Sequence, residues 1–234
     1  AGSAASSLGS IVHDAAHALA ESTIEPSAEA VLAAVLQRWG ELDFESDWLE
    51  QRERLRAGLV ADRLAAYERE LRQAGGVTLA SETRLDVEIG RAHLQGRIDR
   101  VERVPGPDGD TAIVVDFKTG KETRNASARQ LAENPQLAAY QLGLLDGGIE
   151  GVELDGARPG EARLIVLGLG PDKPGYATRA QPVLDEGAAR EWRARIAEAA
   201  EGMSGGAFLA YVDSHCTSRD GGLCPIHVVG SVTA

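Results

Sequence analysis

Two short segments hold residues that could do chemistry together: Gly96-Arg97-Ile98-Asp99-Arg100 and Val115-Asp116-Phe117-Lys118-Thr119-Gly120. Between them lies Pro105-Gly106-Pro107-Asp108-Gly109-Asp110, which is turn material, so the two read as arms of an antiparallel hairpin. Side chains alternate faces along a strand, which puts Asp116 and Lys118 on one side, with Asp99 meeting them near the open end. Two carboxylates converging in a pocket repel unless a cation lies between them. Oxygen ligands of that kind suit Mg²⁺ or Mn²⁺ rather than a soft metal. Such an ion acidifies a bound water and polarises a phosphoryl oxygen. A lysine beside it stabilises charge building on a phosphate and helps orient the attacking water. These parts suffice for phosphodiester hydrolysis. The bland alternative is a solvated hairpin, since a lone Asp or Lys is usually surface charge. Asp116 argues against it: it directly follows the apolar run Ala112-Ile113-Val114-Val115, where an unpaired carboxylate is costly.

The elements that must position these groups are legible in outline. Leu8, Ile11, Val12, Ala15, Ala16 and Leu19 recur at helical spacing, and Ala28–Trp39 and Asp47–Gln73 read as further helices, the last heavily charged on one side. Gly75-Gly76 ends it. Val77–Leu79, Thr83–Ile89 and Ala92–Val104 read as strands, and Ala112–Val115 as a strand buried on both faces. A polar loop, Thr119 to Ala126, follows. Asn134-Pro135 is an N-cap with proline at the first helical position, opening a helix that Gly147-Gly148 closes near Asp146. Arg163–Leu169 is a short apolar strand and Glu186–Gly202 an amphipathic helix. The expected order is helices, three strands, helix, strand, helix. This is an α/β (α+β) core, a mixed central sheet flanked by helices, with an N-terminal helical region. We divide it as 1–75 (helical), 76–203 (core) and 204–234 (tail), forming one integrated domain.

Composition sets limits. Of 234 residues, 43% are hydrophobic and 26% charged, an ordinary globular balance. No stretch approaches the roughly 18 apolar residues a membrane helix needs, and no secretory leader pattern opens the chain. The missing initial Met suggests an excised piece of a longer protein. Two cysteines, Cys216 and Cys224, do not make a disulfide framework, so a reducing compartment is expected. A net charge of -12 argues against a free-standing nucleic-acid-binding module. The charge is uneven, however: Arg84 to Arg129 carries nine Lys/Arg against eight Asp/Glu. A domain fused to a larger DNA-gripping machine need not supply the affinity itself.

Four motifs in order carry a resemblance: Gly9-Ser10-Ile11-Val12-His13, Gly96-Arg97-Ile98-Asp99-Arg100, Asp116-Phe117-Lys118-Thr119-Gly120 and Gln136-Leu137-Ala138-Ala139-Tyr140. The series resembles the RecB-like PD-(D/E)XK nuclease family. The resemblance implies a restriction-endonuclease-like core. It implies His13, Asp99 and Asp116 as metal ligands with the Phe117 backbone carbonyl, and Lys118 as the catalytic lysine. Gln136 and Tyr140, four apart and so on one helix face, would line the site or touch DNA. Glu82 falls where relatives often carry a further acid, though a solvated charge is the expectation for it here. The implied function is metal-dependent hydrolysis of DNA, favouring single strands, within a bacterial helicase–nuclease of AddAB or AdnAB type that repairs double-strand breaks. Its partners would be DNA, the helicase part of a larger chain and a partner helicase–nuclease subunit. Its location would be cytoplasmic and nucleoid-associated.

The pattern departs in the tail. Many relatives hold an iron–sulfur cluster with four cysteines; two are present here, and Arg219 stands where a middle one would fall, so no intact cluster is expected. A zinc site from His215, Cys216, Cys224 and His227 matches no standard spacing. His13-Asp14-Ala15-Ala16-His17 is similar to a zinc-protease helix with Asp for Glu, which makes a zinc hydrolase using His13 and His17 one alternative. A catalytically silent nuclease-like scaffold or DNA-binding domain is another. A phosphate-binding loop is excluded at Gly120-Lys121, which Glu122 follows.

Overall fold

The computed structural model describes residues 4–120 and 127–204. Three helices come first: α1 (Ala4–Ala20), α2 (Ala28–Gln37) and, after a 3-10 turn at Trp39–Glu41, the long α3 (Asp47–Gln73). Then come β1 (Val77–Ile89), β2 (Ala92–Val104) and β3 (Thr111–Lys118), the short α4 (Ala128–Ala132), α5 (Pro135–Asp146), β4 (Arg158–Val166), β5 (Ala177–Gln181) and α6 (Glu186–Ser204). The strands form one sheet in the order β1-β2-β3-β4-β5, antiparallel except for the parallel β3/β4 pair. The mixed sheet flanked by helices, with its N-terminal helical region, is the restriction-endonuclease-like arrangement expected.

The sheet divides two cores. On one face, Ile113, Val115, Phe117, Ile165 and Leu167 pack under α1, α2 and α3. On the other, Ala112, Val114, Ala162, Leu85 and Val87 pack under α5, with α6 beside it. The alternation along β3 explains why its run is uninterruptedly apolar: each residue faces one core or the other. The α5 start follows local chemistry. The Asn134 side chain accepts from the Gln136 and Leu137 amides, Pro135 occupies the first turn, and Gly147 ends the helix at φ 67°.

Several elements depart from expectation. Val77–Leu79 and Thr83–Ile89 are one strand, β1, whose register shifts between Thr78 and Ala80 and whose Glu82 has a left-handed φ of 53°. The irregularity breaks the alternation that signals a strand. β4 starts earlier than Arg163 and ends earlier than Leu169; Pro159-Gly160 masked its first turn of pairing beside β3. β5 is unannounced because Ala177-Thr178-Arg179-Ala180-Gln181 lies at the sheet edge, paired on one side only and mostly polar. The four-residue His215, Cys216, Cys224, His227 grouping, Arg219 and most of the 119–126 loop lie outside the described residues.

One close approach bears on the site. A Cβ on Gly168 would stand 2.0 Å from the Gly120 carbonyl oxygen and 2.4 Å from that of Thr119. Gly168 therefore lets the chain leaving β4 seat against the segment that follows β3. Gly168→Ala should destabilise the protein by about 1–3 kcal/mol, since backbone must shift. Urea unfolding within 0.5 kcal/mol of wild type would show that this contact yields freely.

Candidate active site

Pairing between β2 and β3 runs from Val104↔Thr111 to Arg100↔Val115 and stops there. Asp99 is the next residue, and its side chain takes over. Asp99 Oδ2 accepts a 2.7 Å hydrogen bond from the Phe117 amide, so this carboxylate lies on the peptide that joins Asp116 to Phe117. Its other oxygen, Oδ1, is 3.1 Å from His13 Nδ1 on α1. Glu82 on β1 completes the group: its Oε1 is 3.9 Å from His13 Nδ1, and its Oε2 pairs with Arg97 Nε at 2.7 Å. Ligand atoms of His13, Glu82 and Asp99 all lie within 4.8 Å of one another. Glu82 is thus no solvated charge; its side chain is 16% exposed and turned inward from the irregular stretch of β1.

Asp116 sits beside this group and not within it. Its side chain faces α5: Gln136 Nε2 donates to Oδ1 at 3.2 Å, and the Tyr140 hydroxyl donates to the same oxygen at 3.4 Å. Gln136 and Tyr140 also bond to each other at 2.8 Å. Oδ2 is buried, with no hydrogen-bond donor aligned on it beyond the charge contact to Lys118 Nζ at 2.7 Å. Lys118 itself is half exposed. Asp116 and Lys118 do share a face, as alternation required. Gln136 and Tyr140 contact Asp116 itself, with Tyr140 buried. His17, one turn beyond His13, joins no ligand group among the described residues.

The electrostatics are tense. Burial, reinforced by the Asp99 charge, pushes both Glu82 and Asp116 above the usual carboxylate range. The hydrogen bond to Asp99 raises His13, against the opposing effect of burial. Tyr140 is likewise pushed up by burial and by Asp116. A cluster in which burial and a neighbouring carboxylate disfavour the anions is one that a divalent cation would relieve. Two carboxylates and an imidazole nitrogen converging at this spacing fit a hard divalent ion. They open onto a cleft of about 690 Å³ lined also by Gly9, Ser10, Thr119 and Gly120.

Comparison with family models matches residues 1–229 to the PD-(D/E)XK nuclease superfamily. The chain belongs to that superfamily. A comparison with curated proteins finds no match. Superfamily membership suits the fold and the acidic cluster. Within this superfamily member, supports of the site went unseen in the sequence. Arg56 on α3 donates to the Thr119 carbonyl. Buried Gln181 donates to the carbonyls of Leu131, Ala132 and Asn134, each at 3.0 Å, so it holds the chain that enters α5. Buried Gln141 is bonded to Gln181 at 2.9 Å. Buried Glu68 and Arg100 are paired at 2.6 Å. A signal existed for Glu68. Ala57, Ala61, Leu64 and Leu71 mark the apolar stripe of α3, and position 68 falls on that stripe.

The pH dependence of the metal-free protein follows in sign. His13 has a folded pKa above 6.5, so its contact with Asp99 contributes stability that is full below 6.5 and is lost as pH rises through the raised value. Glu82 and Asp116, also raised, lose stability in the same direction as they ionise. In chelator the protein should therefore melt higher at pH 5.5 than at pH 8, and His13→Gln should shrink the difference. Asp116→Asn keeps an acceptor for Gln136 and Tyr140 and deletes a buried charge. It forfeits only a half-exposed lysine pair, worth about 0–1 kcal/mol. It should melt no lower than wild type in chelator at pH 8. A large fall in Asp116→Asn, or a higher melting temperature for wild type at pH 8, would contradict this electrostatic account.

Proposed function

We propose that this chain is a metal-dependent deoxyribonuclease of the RecB-like type, the nuclease part of a bacterial helicase–nuclease acting on single-stranded DNA during double-strand break repair. The observation that carries the reading is the seating of the Asp99 carboxylate between His13 and the Asp116–Phe117 peptide, with Lys118 two residues on. The order of the four motifs supports it.

In this reading His13, Asp99, Asp116 and the Phe117 carbonyl, with Glu82 added, would hold Mg²⁺ or Mn²⁺. The ion would supply Lewis-acid polarisation of the phosphate and a water acidified toward neutrality. The chain's own residues do the rest. Asp99, fixed by the Phe117 amide, cannot swing away from His13. Gln136 and Tyr140 orient Asp116 through one oxygen and leave the other toward Lys118. Lys118, exposed enough to meet a substrate, places its charge where a phosphoryl oxygen becomes more negative. Helicase and partner subunits would supply the grip on DNA that a chain of net charge -12 lacks.

The test is cleavage of a labelled single-stranded oligonucleotide with and without Mn²⁺. Wild type should cut only with metal, and Asp116→Ala and Lys118→Ala should each lose about 100-fold or more, the scale for removing one transition-state stabilising group. Equal rates in all three proteins would remove the assigned site. A wild type that holds its fold but cuts neither with nor without metal would favour the silent scaffold.

A further inference from the structure

The long helix α3 contributes no residue to the site, yet it buries a carboxylate behind it. Glu68 is 2% exposed. Its two oxygens go to two arginines: Oε2 accepts from Arg100 Nη1 at 2.6 Å, and Oε1 accepts from Arg72 Nε at 2.7 Å. Each arginine then donates to a backbone carbonyl of α1. Arg100 Nη2 reaches the Ala16 oxygen at 2.5 Å, and Arg72 Nη2 the Leu19 oxygen at 3.0 Å. One carboxylate thus holds, through two guanidiniums, two points three residues apart on the helix that carries His13. Arg100 is wholly buried, follows Asp99 directly and lies 5.2 Å from the Phe117 ring centre.

Beside the exposed Arg38–Asp14 pair and the contacts of His13 itself, the remaining hold on α1 is largely apolar: Leu8, Ile11, Val12, Ala15 and Leu19 pack into the first core. Apolar contact is non-directional and tolerates a helix sliding along its axis. Directed bonds to carbonyls do not, because they fix position and angle together. Ala16 is about 4.5 Å along the axis from His13 at 1.5 Å per residue. A shift of α1 that broke the Ala16 bond would move the His13 ring from Asp99 by the same amount.

From this geometry we infer that Glu68 is a positioning residue: with Arg100 and Arg72 it sets the axial register of α1 and so the placement of His13 against Asp99. The inference rests on the reading of those two residues as metal ligands only for its functional consequence; the clamp on α1 stands apart from it. Groups that orient ligands from behind typically change metal affinity 10–100-fold when altered.

Two measurements test this on the full chain. Calorimetric titration with Mn²⁺ reads the site, and amide hydrogen exchange in chelator reads α1. Glu68→Gln, which can accept from one arginine but not both, should weaken Mn²⁺ binding about tenfold. It should also speed exchange across residues 13–19 more than elsewhere. Arg72→Ala removes the outer arm at a half-exposed side chain, so folding should survive; about threefold weaker binding is expected, a fraction of the full effect. Tyr67→Phe strips the 2.7 Å bond from Tyr67 to Glu102 in the same buried network without touching the α1 links. It should leave Mn²⁺ affinity within about twofold. In a His13→Ala background, Glu68→Gln should add no further loss, since the ligand it positions is gone. Unchanged Mn²⁺ affinity in Glu68→Gln, or an equal loss with and without His13, would overturn the inference. A wild type that neither binds Mn²⁺ nor cuts DNA would fell the nuclease reading instead. The exchange arm would still decide the clamp: protection of α1 equal to that in Tyr67→Phe refutes it.

Discussion

The site depends on the place where β2 parts from β3. The ladder ends at Arg100↔Val115, which would leave the Phe117 amide without a strand partner. An unpaired buried amide costs about 1–3 kcal/mol. The Asp99 carboxylate satisfies it with one oxygen and meets His13 with the other. A single side chain therefore finishes the sheet and ties the first helix to it. The chemistry-bearing residues are consequences of that junction, since β3 delivers Asp116 and Lys118 on the strand that Asp99 secures.

Around the junction the molecule accepts electrostatic cost. Among the described residues, Glu82, Asp99 and Asp116 gather with His13, Arg97 and Lys118 as their counter-charges. Glu82 reaches the group from a left-handed backbone conformation, which a non-glycine residue adopts only under local constraint. Such arrangements trade stability for function, and their supports lie elsewhere. Here the supports are buried or partly buried polar side chains on neighbouring elements: Gln181 under the entry to α5, Arg56 at Thr119, and Arg63, whose guanidinium donates to the Leu167, Leu169, Gly170 and Lys173 carbonyls. None of the three lines the cleft; Arg56 fixes Thr119, which does, while Gln181 and Arg63 fix backbone around it.

What the amino-acid sequence determined by itself is local. The β3 run, its alternating faces, the shared side of Asp116 and Lys118, the Asn134-Pro135 start of α5 and the proximity of Gln136 to Tyr140 all follow from steric periods and caps within a few residues. The hairpin joining Asp99 to Asp116 follows from a turn between two strands. Tertiary structure decided the rest. It turned Glu82 inward and set Asp116 toward α5, outside the group formed by His13, Glu82 and Asp99. It also made Glu68 and Arg100 a buried pair although 32 residues separate them. The physical reason is that a charged side chain carries no local mark of its partner. On α3, the place of Glu68 on the apolar stripe marks it as facing inward, but nothing local names Arg100 as the group that meets it there.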